Sequence, residues 1–171
     1  MRFQTDTWLD HKIQPLAFDD IGREVLEAFL RDDLRVTGIM MELVMPTIFH
    51  GDLLLPHHAG AKYDVSDSQG RTYEVRTTST RSHKRGSARL TPSSQQGIGR
   101  KYDPDYHLRW WEGLYGFIIV DATEFPHLKI IALSTRDLER ISGKKLPKGV
   151  SLKKIREHYP LAPTLFNADK M

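Results

Sequence analysis

Two carboxylates and a guanidinium are the residues whose types and spacing could do chemistry in this chain. In the stretch 62–78, KYDVSDSQGRTYEVRTT, Asp64 precedes Glu74 by ten positions and Arg76 follows Glu74 by two. Apolar and polar residues alternate through Tyr63 and Val65, break at Asp67-Ser68-Gln69-Gly70, and alternate again through Tyr73, Val75 and Thr77. That is the pattern of a β-hairpin with one buried face, turning near Ser68–Gly70. Its strands would bring Asp64 and Glu74 to the same end of a small sheet. Arg76 would share the face of Glu74, because strand side chains repeat every second residue. Two acids and a cation on one face can hold a divalent ion and a phosphate together. Hard oxygen donors suit Mg²⁺, and the set offered here is Asp64, Glu74 and the main-chain carbonyl of Val75.

Other elements must position this hairpin. Asp19 and Asp20 can cap a helix in which Ile21, Val25, Ala28 and Phe29 form one apolar stripe. Leu34–Met45 is apolar around nearly its whole circumference apart from Arg35, Thr37 and Glu42, so it belongs in a core or a subunit interface, and Pro46 stops it. Residues 1–17, with Pro15 and scattered aromatics, read as an irregular arm. Asp103 and Pro104 open a helix through Tyr106–Trp111 that ends at Gly113, with Trp110 and Trp111 as core anchors. Leu114–Asp121 and Lys129–Leu133 read as buried strands joined by a hairpin around Phe125-Pro126. Ser134 or Thr135 then caps a helix over Arg136–Ile141. The Lys-rich tail Gly143–Met171 holds three prolines and a short helix, Leu152–His158. His50, His57 and His58 fit no zinc spacing and are read as loop histidines, with His57 or His58 open to a phosphate contact.

The run D-x(2)-D-x(2)-G-x(2)-Y-E-x-basic, here Asp64, Asp67, Gly70, Tyr73, Glu74 and Arg76, resembles the PD-(D/E)xK nuclease superfamily. Within it, the likeness is to short type II restriction endonucleases. It is close over the hairpin and agrees more loosely, in the order of elements, through about residue 140. The resemblance implies an α/β (α+β) fold with a restriction-endonuclease-like core, a central mixed β-sheet flanked by helices. On that frame, residues 1–46 form an N-terminal arm and helices, 47–141 the catalytic core and 142–171 a C-terminal extension. It implies Asp64, Glu74 and Arg76 as the catalytic trio, and Mg²⁺ on Asp64, Glu74 and Val75. Glu42 would be an accessory acid, since many relatives carry one on the helix before the hairpin; a Glu near the helix end without such a role is the alternative. The activity implied is hydrolysis of double-stranded DNA at a short palindromic site. Two strands call for two active sites, hence a homodimer, with Leu34–Met45 or the arm at its interface.

One departure is serious, because the family has Lys where this chain has Arg76. An arginine stays protonated and cannot act as a base, although it can hold a phosphate bidentately. Three readings follow. The enzyme is active with Arg76 purely electrostatic; a lysine from elsewhere (Lys62, Lys84 or Lys101) has taken the role; or the chemistry is lost and a DNA-binding protein remains.

At 171 residues the chain is long enough for one domain with a sizeable core, and 39% hydrophobic residues is ordinary for a soluble protein. No apolar run approaches the roughly 20 residues of a membrane helix, and the first residues, MRFQTDTWLDHK, lack a secretory h-region. Zero cysteines exclude disulfides, thiol catalysis and Cys-based zinc sites, which fits a cytoplasmic protein. A net charge of +3 says little, but its distribution says more. Between Glu74 and Asp103 there is no acid, while Arg76, Arg81, Lys84, Arg85, Arg89, Arg100 and Lys101 fall in that window. A polyanion would be met there. Within it, His83, Gln95 and Gln96 add groups suited to DNA, since Gln pairs with adenine as Arg and Lys pair with guanine. A flexible solvated loop of 75–102, in a protein-interaction or accessory subunit, uses the same residues.

Overall fold

The computed structural model describes residues 2–12, 41–42, 45–57, 61–78, 86–92, 101–124 and 127–161. The expected helix at 21–29, most of Leu34–Met45 and the turn at Phe125-Pro126 lie outside them. Eight strands are described: β1 (Leu9–Lys12), β2 (Leu53–Leu54), β3 (Val65–Asp67), β4 (Thr72–Thr78), β5 (Ser87–Arg89), β6 (Gly116–Glu124), β7 (His127–Ser134) and β8 (Gly149–Ser151). Three helices join them: α1 (Pro104–Glu112), α2 (Thr135–Ser142) and α3 (Leu152–His158). Residues 41–42 and 45–48 are also helical. The architecture is mixed α/β.

Six strands form one mixed sheet in the order β1-β7-β6-β4-β3-β2, and β5 pairs with β8 in a second, small sheet. The pairs β1/β7, β7/β6, β4/β3 and β3/β2 are antiparallel, whereas β4 and β6 run parallel, from Tyr73 beside Gly116 to Thr78 beside Asp121. A parallel neighbour needs a crossover, and the segment that contains α1 supplies it.

The sequence of β6, GFIIVDATE, explains its central place: Gly116 through Ala122 are all buried. A strand covered on both faces loses the apolar-polar alternation of a half-exposed one. Phe117 and Ile119 enter a core with Trp110, Trp111, Leu138, Ile141, Val150 and Ile155. Ile118 and Val120 enter the opposite core with Met41, Met45, Phe49, Tyr73 and Val75. Met41 and Met45 thus settle between the two expectations for the greasy segment: within this chain they are core.

Helix ends follow their local chemistry. The Asp103 carboxylate accepts the amides of Asp105 and Tyr106 at 2.9 and 3.0 Å, and Pro104 occupies the first turn, where no amide is missed. Ser134 caps α2 by accepting the Asp137 amide at 3.1 Å, and Gly143 closes it at φ 69°. The arm differs from the irregular reading: Leu9–Lys12 is an edge strand on β7, the Asp6 amide reaches the Ala132 carbonyl at 2.8 Å, and Trp8 Nε1 donates to the Tyr159 carbonyl. Val150, Leu152 and Ile155 of the tail are buried in the α1 core. No helix among the described residues is long and apolar enough to cross a membrane.

His107, fully buried on α1, ties this helix to the strand segment 86–92. Its Nε2 lies 2.8 Å from the Leu90 carbonyl and its Nδ1 2.8 Å from the Tyr102 hydroxyl. A carbonyl only accepts, so Nε2 carries the proton and Nδ1 accepts from Tyr102. Burial holds the imidazole below its usual range despite the Leu90 hydrogen bond. Its contribution to stability is therefore present above the unfolded value of 6.5 and is lost as pH falls through the lower folded value. His107→Ala is expected to cost about 2–3 kcal/mol by orphaning two buried groups. Its melting temperature should fall less than the parent's on acidification from about pH 7 to about pH 5, which thermal unfolding would check.

Candidate active site

The hairpin that carries the site is built by Asp67. Its carboxylate accepts from the Gln69 amide (2.9 Å), the Arg71 amide (3.0 Å), Arg71 Nε (2.6 Å) and the Tyr73 hydroxyl (3.3 Å). Burial pushes this acid up, but the Arg71 guanidinium and the two amides outweigh it and hold the carboxyl below its usual range. Gly70 closes the turn at φ 74°, where a side chain would be strained, and its amide reaches the Asp67 carbonyl. Asp67, Gly70 and Tyr73 are thus turn architecture, and they fix the register Val65 opposite Tyr73.

Just before β3, Asp64 stands beside Tyr73 and Val75 of β4. The Asp64 amide donates to the Tyr73 carbonyl at 3.0 Å, and its Oδ2 accepts the Val75 amide at 2.8 Å. The expectation that both carboxylates reach one end of the sheet is met. Glu74 and Arg76 follow on the face that holds Phe117 and Ile119, their parallel partners in β6. Arg76 Nη2 donates to Glu74 Oε1 at 2.6 Å and to the Thr91 carbonyl at 3.2 Å, and Nη1 donates to the Val75 carbonyl at 3.3 Å. Its guanidinium lies 5.9 Å from the centre of the Trp110 ring. The side chains of Arg76 and Glu74 are only 12% and 8% exposed, so this ion pair works largely out of water.

Glu42 joins the cluster electrostatically from the helical turns before β2. Burial, and next the charge of Asp64, push its carboxyl up to about 7 against the pull of Arg76. Glu74 is also pushed up to about 7, by burial first, with Asp64 and Glu42 adding to it and Arg76 opposing. Asp64 is raised by burial, against the Val75 amide and Arg76. Three carboxylates thus share one guanidinium. Among the described residues, the charges that move them are their own and that of Arg76; Lys62 and Lys101 do not enter, and Lys84 lies outside the described residues.

The donors are all hard oxygens and the cluster has an excess of negative charge, so the residues fit Mg²⁺ in kind. Among the described residues, however, no group of three His, Cys, Asp or Glu side chains is arranged ready to hold a metal ion. Arg76 already bonds Glu74 Oε1 and the Val75 carbonyl, two of the three expected ligands.

Of the expected DNA-contacting residues, Arg89 on β5 and Lys101 before α1 are described and exposed. Arg81, His83, Lys84, Arg85, Gln95, Gln96 and Arg100 lie outside the described residues, as does His58. Sequence reasoning missed Thr91, which meets Arg76 through a main-chain carbonyl common to every residue type. It did not single out Asp121 either, 2% exposed and paired with Arg156; its one signal is an acid closing the apolar run LYGFIIVD. That pair lies in a concavity of about 620 Å³ between β5 and α3. There, as at Arg76, the cation is already paired with a buried acid. Compared with protein-family models, with curated proteins and with solved structures, the chain matches none.

Proposed function

We propose that this chain is a Mg²⁺-dependent endonuclease that hydrolyses phosphodiester bonds in double-stranded DNA, built on a restriction-endonuclease-like core. The observation that carries the reading is the β3–β4 hairpin, in which Asp64 accepts the Val75 amide while Glu74 and Arg76, on either side of Val75, bond to each other. The element order supports it: the acid-bearing hairpin, then α1, two long strands and α2, with β4 and β6 parallel. Asp64, Glu74 and the Val75 carbonyl would hold the metal, which supplies charge neutralisation at the phosphate and activation of water. Arg76 cannot serve as a base; its permanent charge holds the scissile phosphate and balances the negative charge that develops there. Glu42, beside Asp64, orients the attacking water. Arg89 and Lys101 contact the DNA backbone, and two copies of the chain would cut the two strands of a palindromic site.

A second reading, a non-catalytic DNA-binding protein, is favoured by one observation: Arg76 is held on Glu74 and Val75 where a metal would be expected. Incubating plasmid and phage DNA with the protein in Mg²⁺, in Mn²⁺ and in EDTA separates the two. Discrete fragments that need the metal, and that Asp64→Asn abolishes, are the expected outcome. Salt-sensitive duplex binding without cleavage under any condition would establish the second reading instead.

A further inference from the structure

We propose that the Arg76 guanidinium is the resident counter-cation of this site, and that a divalent ion loads only by displacing it from Glu74 Oε1 and the Val75 carbonyl. The inference deepens the nuclease reading and rests on its assignment of the metal ligands. Arg76 bridges both oxygens at once, through Nη2 at 2.6 Å and Nη1 at 3.3 Å. A planar guanidinium with a fork of donors can span two acceptors in this way; a lysine ammonium is a single point charge on a shorter reach. The cluster cannot accommodate both cations on the same oxygens.

The structure also provides a place for Arg76 to go. Nη2 already donates to the Thr91 carbonyl at 3.2 Å, and the guanidinium lies 5.9 Å from the centre of the Trp110 ring. Releasing Glu74 while keeping Thr91 and Trp110 moves the cation a short way within the same pocket. The present pose is not fully satisfied, since Arg76 Nε is buried without a hydrogen-bond partner. A buried orphan donor weakens the state that contains it, so the arrangement is one the side chain can leave. Metal affinity is thereby set by a side chain of the site itself. Once displaced, the arginine stands free to take the phosphate.

The test is Mn²⁺ binding to the full metal-stripped protein without DNA, by titration calorimetry, for the parent, Arg76→Gln and Arg76→Lys. Arg76→Gln is expected to bind Mn²⁺ about tenfold or more tightly than the parent, because the metal no longer competes with a charge a few ångströms away. Arg76→Lys, which keeps a charge but cannot bridge both oxygens, should fall between them, and it remains readable if Arg76→Gln folds poorly. Adding Glu74→Gln to either variant should abolish the gain. Equal or weaker Mn²⁺ binding in both Arg76 variants, or no binding in any form, would overturn the proposal. Cleavage is a separate readout. A parent that cuts DNA while its Arg76 variants gain no affinity keeps the nuclease reading and loses this one; tighter Mn²⁺ binding without cleavage by any form does the reverse.

Discussion

Arg76→Ala is expected to destabilise the metal-free protein by about 3–5 kcal/mol near pH 8, the range found when one partner of a buried ion pair is removed. Glu42, Asp64 and Glu74 would then share a site with no cation from the described residues, among which Arg76 is the one charge that lowers all three. The loss should shrink on acidification, and the sign follows from the direction of the shifts. Glu42 and Glu74 titrate near 7 in the folded chain and at 4.5 when unfolded. The fold therefore prefers their protonated forms. The stability so contributed is fully present below 4.5 and is lost as pH rises through about 7. Removing Arg76 raises the folded values further, so at about pH 5 the variant approaches the parent. Denaturant unfolding at the two pH values would check this. A loss of equal size at both would mean that Arg76 stabilises by packing on Trp110, with the charge immaterial.

Gly116→Ala is expected to cost about 3 kcal/mol and to lower the melting temperature by roughly 10 °C. A Cβ at this position would stand 2.1 Å from the Leu133 carbonyl oxygen and 2.9 Å from its carbon. Both are backbone atoms of the adjacent strand, so no side-chain rotation relieves the clash. Gly116 begins β6, flanked by Tyr73 of β4 and Ser134 of β7. Forcing β7 away there disturbs the pairing of Phe117 with Leu133, and with it the seating of β6 beside Glu74, so DNA cleavage should fall together with stability. Full activity in a variant of unchanged melting temperature would show that the strand start adjusts freely.

The hairpin is legible in the sequence because its chemistry is local. Asp67 and Gly70 make a turn through their own backbone and side chain, and period-two alternation then fixes which residues share a face. The same holds for α1 and α2, whose caps lie within three residues of the amides they satisfy. Trp110 and Trp111 are buried as core anchors, as their position predicts. The edge strand β1 is not legible, because LDHK has little alternation of its own and owes its conformation to the pairing groups of β7. Nor is the β5/β8 sheet, in which three-residue strands about sixty positions apart pair Ala88 with Val150. Within the site, spacing brings Asp64, Glu74 and Arg76 together. The hold of Arg76 on Val75, Thr91 and Trp110 depends on the direction of a long side chain, which periodicity does not encode.

The central claim is that the carboxylates around Arg76 perform metal-dependent hydrolysis, and Glu74→Gln tests it most directly. The amide keeps an acceptor for Arg76 and removes a buried charge, so the fold should survive and duplex binding in EDTA should be unchanged. With Mg²⁺, the first-order rate of plasmid cleavage should fall at least about a hundredfold, as expected for loss of a preorganised electrostatic group at the reacting phosphate. Cleavage by Glu74→Gln at the parent's rate would contradict the account and place the chemistry elsewhere in the chain.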